Sequence, residues 1–186
     1  MQTSLNIKEP GLNVFPLGVE RYVVNGGGLT GIQILPDDEI EIINDEGNQI
    51  CEITVFNKDG KSELGILNLK ESKNSSEIKK ILFNKNETSL QALYQLKKRN
   101  LDIEKSKSAI LFDKDTVAKE TIKLKSKDKC YCIISAPGNA MLVHEQNPST
   151  DLTILVYRAE KKQDKEFTVI PDPVYDPSGE IDIKRT

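Results

Sequence analysis

His144 is the only histidine in the 186 residues, so any imidazole chemistry in this chain runs through it. A histidine base needs a nucleophile beside it and a carboxylate to orient its ring. Cys132 and Ser135 could supply the nucleophile and Glu145 the carboxylate, but no nucleophile-elbow context surrounds them. A loop histidine without a chemical role is the simpler reading. Gln49 and Glu52 make the better pair. Three positions apart, they face opposite sides of a regular strand, so one can point inward, where a polar group must find a partner. The candidate site for a small polar metabolite is therefore Gln49, Glu52 and His144, with no catalytic residue assigned and no metal expected.

The other chemical signals are weak. Cys130 and Cys132 form Cys-x-Cys on one extended stretch, and alternation sends both thiols to nearly the same face. Cys51 is the third cysteine; the spacing matches no zinc knuckle, and no second pair exists. Gly26-Gly27-Gly28-Leu29-Thr30-Gly31 fits G-x-G-x-x-G, but an extended stretch broken by Pro36 follows where phosphate binding needs a helix. Gly60-Lys61-Ser62 ends like a P-loop, yet Val55 stands where its first glycine belongs. Both are read as turns.

Apolar alternation predicts short strands over residues 21–24, 31–35, 39–43, 49–56, 109–112, 121–124, 130–135 and 152–157. The first four, joined by Gly-, Asn- and Asp-rich turns, read as a β-meander. Ile78, Ile81 and Leu82 predict a short helix with a serine cap near residue 75. Leu90, Leu93, Tyr94 and Leu101 predict the buried stripe of a second helix, opened by Thr88. The expected fold is α+β: mainly an antiparallel β barrel or sandwich with two short helices in the middle. Residues 1–20 read as an irregular arm, 21–160 as one strand-rich domain, and 161–186 as a proline-rich linker or tail.

Charge is nearly balanced, with 26 basic against 29 acidic residues, which argues against a nucleic-acid partner. No apolar run reaches the length of a membrane span, and the first ten residues lack a signal-peptide pattern. A cytoplasmic protein with reduced thiols is expected. The oligomeric state is left open, although the 130–135 and 152–157 strands are candidates for edge-to-edge pairing between copies.

Residues 38–56, DEIEIINDEGNQICEITVF, and 129–157, KCYCIISAPGNAMLVHEQNPSTDLTILVY, resemble the urea-carboxylase-associated domain family. Gly47 and Gln49 match its Asp-x-x-Gly-x-Gln-x-x-Asp motif, with Asn44 and Glu52 replacing the two aspartates. Ser135, Pro137 and Thr150 match a later strand–turn–strand, with Ala136 in place of the usual cysteine. The family's metal-associated His-Asp and Cys segment has no counterpart, because residues 57–128 contain neither His nor Cys. Such domains precede glycine-cleavage T-protein-like aminomethyltransferase domains, and residues 170–186, IPDPVYDPSGEIDIKRT, are similar to the linker between them. The resemblance implies a non-catalytic accessory or binding module at the N-terminus of a folate-dependent aminomethyltransferase. Tetrahydrofolate would then belong to a downstream catalytic domain, with no cofactor on this chain. Two alternatives are a stand-alone small-amide or amine enzyme of the urea-carboxylase-associated type and a purely structural interaction domain.

Overall fold

The computed structural model describes residues 7–8, 18–73, 75–84, 87–138 and 149–159. In chain order the elements are β1 (Ile7–Lys8), β2 (Val19–Val24), β3 (Leu29–Ile34), β4 (Glu39–Asn44) and β5 (Cys51–Asn57). A 3-10 turn (Leu64–Leu67), α1 (Glu77–Leu82) and α2 (Glu87–Lys98) follow, then β6 (Ser108–Phe112), β7 (Glu120–Lys125), β8 (Cys130–Ser135) and β9 (Leu152–Tyr157). The fold is α+β and mainly antiparallel, as expected.

The strands form two open sheets, ordered β1-β3-β8-β5-β6 and β2-β9-β4-β7. This is a sandwich-like arrangement with no closed barrel among the described residues. The meander reading is corrected here. From β2 to β5 each strand lies in the sheet its predecessor does not, so these turns cross between layers. β1 pairs in parallel with β3 through Ile7 and Gly31. The expected edge pairing of copies is also overturned for both candidate strands. β8 is flanked by β3 and β5, and β9 by β2 and β4, so neither has a free backbone edge.

Two apolar layers hold this arrangement. Between the sheets lie Ile32, Ile34, Ile40, Ile42, Ile53, Val55, Ile154 and Val156 with the three cysteines. On the outer face of the larger sheet, Phe56 and Ile133 pack against Ile78 and Leu82 of α1, Ala92 and Leu96 of α2, and Leu101 and Ile103. β5 is thus buried on both faces, which explains why Cys51–Phe56 has no exposed position. Its Thr54 shares a 2.6 Å hydroxyl hydrogen bond with Ser108 of β6, satisfying both polar groups beneath the helices.

The predicted stripe holds in part, Leu93 and Leu101 packing against the outer apolar layer, but α2 itself is rotated from it. Its buried side is Ser89, Ala92 and Leu96, whereas Leu90 and Tyr94 face outward. Apolar content alone does not set helix rotation.

Candidate functional site

The ends of β4, β8 and the starts of β5 and β9 meet at one end of the sandwich, and Gln49 sits among them. Its Nε2 donates to the carbonyls of Ile50 (2.9 Å) and Pro137 (3.0 Å), and its Oε1 accepts from the Thr150 amide (2.8 Å). One side chain therefore ties the β4–β5 turn to both strands that flank residues 139–148. Asn44 closes the same turn: its Nδ2 donates to the Gln49 carbonyl (2.9 Å) and its Oδ1 accepts from Gly47 (3.0 Å). Gly47 has φ +81°, a conformation that favours glycine. Gly26 lies against the Ser149 carbonyl, where a Cβ would come within 2.4 Å, and its amide donates to Asp151 Oδ1 (2.8 Å). The glycine run is a close-packing surface with a strand, not a helix, after it.

Glu52 follows on β5 and points under the helices. Its Oε2 accepts from the backbone amides of Glu77 (2.6 Å) and Ile78 (3.1 Å), the first turn of α1. Ser76 occupies the N-cap position but makes no side-chain cap hydrogen bond. The expected serine cap is thus replaced by a carboxylate from a neighbouring strand, which meets the same unpaired donors. Glu52 Oε1 is buried with no hydrogen-bond partner. Replacing Glu52 with alanine is expected to cost about 1 kcal/mol, the usual loss of a helix cap, with Glu52→Gln much milder. Urea unfolding of the two variants checks this, and equal losses would remove the capping role.

Gln49 and Glu52 are both buried, at 2% and 1% exposure, and both engage main-chain groups. The structure brings them to one end of the sheet. His144 and Glu145 lie outside the described residues. Ser135 is buried beside Glu52, its hydroxyl 3.5 Å from the Glu52 carbonyl. Cys132 lies in the inter-sheet core with its sulfur 3.9 Å from that of Cys130, on one face as alternation requires. A hydrogen bond from Cys132 lowers the Cys130 thiol pKa, while that contact and burial push Cys132 well above its ordinary value. Burial likewise pushes Cys51 up. The described residues contain no group of three or more His, Cys, Asp or Glu side chains arranged to hold a metal.

At the opposite end lies a cluster that strand patterning does not reveal. Arg158, Glu20 and Asp38 are at most 2% exposed. The Arg158 guanidinium donates through Nε (2.9 Å) and Nη2 to Glu20 Oε2, and through Nη1 to Asp38 Oδ2 (2.6 Å) and the Gln33 carbonyl (3.0 Å). Asp38 also accepts from the Leu35 and Ala159 amides, at 3.0 and 2.9 Å. Burial disfavours charge on Arg158, but its hydrogen bonds to Glu20 and Asp38 outweigh that and raise its pKa. Four strand ends are pinned by this one side chain. The available signal was that Arg158 is one of four arginines among 26 basic residues.

Tyr22 joins the cluster, donating to Glu20 Oε2 at 2.6 Å. Burial, and then this hydrogen bond to a carboxylate, push its pKa from 10.0 to about 12. The folded value lies above the unfolded one, so its stabilising contribution is intact below pH 10 and lost as pH rises toward 12. Tyrosinate absorbance should therefore show a late-ionising tyrosine that Tyr22→Phe removes. A uniform titration near 10 would contradict the hydrogen bond.

No family model matches the chain. A trimethylamine-oxide aldolase from Ruegeria pomeroyi is 32% identical over 176 residues, which cover 94% of this chain and 22% of the relative. The chain thus spans about a fifth of the length of the curated relative it matches.

Proposed function

We propose that this chain is a non-catalytic accessory or binding module of a longer, cytoplasmic enzyme of small-amine and one-carbon chemistry, of the glycine-cleavage T-protein-like aminomethyltransferase type. The observation that carries the reading is the span of the match: nearly all of this chain against 22% of an enzyme named for a small methylated amine oxide. The buried polar side chains support it from another direction. Gln49, Glu52, Asn44 and Arg158 serve main-chain groups and buried carboxylates, the work of a scaffold.

Tetrahydrofolate, on this reading, is held by the downstream domain. A groove of about 370 Å³ lies on this chain, walled by Phe83, Leu93, Leu96, Leu101 and Ile103. Its polar lining residues, Lys97, Asn100, Asp102 and Glu104, are none of them buried, so no fixed polar group meets the hydrogen-bonding edge of a pterin. The lining of this groove does not fit the cofactor.

An immunoblot of source cells, with antibody raised to this chain, tests the reading. A band several times larger than 20.8 kDa is expected. A band near 20.8 kDa would contradict it and favour the stand-alone small-amine enzyme, a reading supported by the same relative being an enzyme.

A further inference from the structure

We propose that the outward face of α2, built on Leu90 and Tyr94 and continuous with the groove beside Phe83 and Leu93, docks an adjoining domain of the same polypeptide. The proposal rests on the module reading above and names the partner of that module. Leu90 and Tyr94 are 57% and 66% exposed, and their i, i+4 spacing puts them on one stripe. Leu93 lies next to that stripe and forms one wall of the groove, and Phe83, 42% exposed, forms another. α2 meanwhile buries Ser89 and Ala92 against its own domain. With Ala92 and Leu96 already buried against its own domain, α2 thus has a second apolar face, on Leu90 and Tyr94, with no partner in the described structure.

Isolated surface apolar residues need no explanation, but a helix stripe running into an apolar groove is the form of an interaction surface. The occupant follows from size. A stable dimer needs about 800 Å² from each partner, more than a few partly exposed side chains provide. A tethered domain needs less, because the covalent link removes most of the association cost and supplies a high local concentration. The matched relative has nearly four-fifths of its length outside the shared stretch, which is the source of such a domain.

The test is made on the whole gene product, with the photoreactive residue p-benzoylphenylalanine at Tyr94 and, as a control, at the exposed Lys123 of β7. The expected result is an intramolecular cross-link from position 94 to peptides outside residues 1–186, with none from position 123. Cross-links from position 94 to residues 1–186 of a second copy, or to nothing, would overturn the docking. A product of only 20.8 kDa would remove the module reading and this proposal together, whereas a long product without the cross-link removes the docking alone. The Leu90→Ser/Tyr94→Ser variant gives a second readout. It should shift the Tm of the 186-residue chain by less than about 2 °C, yet lower that domain's transition in the full product by about 5 °C or more. An unchanged transition in the full product would also contradict the docking.

Discussion

Arg158→Ala should destabilise the domain by about 3–5 kcal/mol, because it leaves two buried carboxylates without their cation. Glu20 and Asp38 are each 1% exposed and cannot turn to solvent without opening the end of the sandwich. The loss extends beyond two ion pairs. Arg158 also satisfies the Gln33 carbonyl, and Asp38 holds the Leu35 and Ala159 amides, so the ends of β3 and β9 loosen together. Arg158→Lys should recover little, since one ammonium cannot reproduce the guanidinium fork toward Glu20 and Asp38. Acidification should restore part of the stability of Arg158→Ala, because protons can then neutralise the stranded carboxylates. Urea unfolding at neutral and mildly acidic pH measures both effects. A loss below about 1 kcal/mol at neutral pH would show that the cluster contributes nothing net.

The second large effect is expected at Phe56, which is fully buried where β5 meets the helices. Phe56→Ala should cost about 3–5 kcal/mol, through lost apolar burial and the cavity left behind. Its neighbours there include Ile78 and Leu82 of α1, Leu96 of α2 and Ile133 of β8. Damage should therefore be greatest in the helical layer, whose attachment to the sheet runs through this cluster. Hydrogen exchange can separate the layers: amides of α1 and α2 should lose protection while those of β9, central in the other sheet, change less. Equal losses in both layers would mean that they unfold as one unit.

The strands were legible because strand patterning is local. Alternation of Ile40 and Ile42 with Glu39 and Glu41, for example, marks β4 without knowledge of its partners. The distribution of strands between sheets was not legible, since a four-residue turn looks the same whether it returns within a sheet or crosses to the next. The rotation of α2 was misread for a related reason. Leu90 and Tyr94 are apolar, but the helix faces the core with Ala92 and Leu96, and only tertiary packing makes that choice. At the candidate site, local reasoning singled out Gln49 and Glu52 as polar groups in need of partners. It could not supply them: Gln49 bonds to Thr150, 101 positions away, and Glu52 to Glu77, 25 away. The Arg158–Glu20 pair spans 138 positions, and Glu20 fell in a stretch read as an irregular arm.

If the chain is an accessory module, the chemistry belongs to the polypeptide around it. The most direct test of the proposed reading is turnover of small amines, with tetrahydrofolate present, by the whole gene product and by the 186-residue chain side by side. The account predicts turnover by the whole product and none by the chain alone. Turnover by the chain alone, abolished in His144→Ala, would contradict it and make this domain the enzyme.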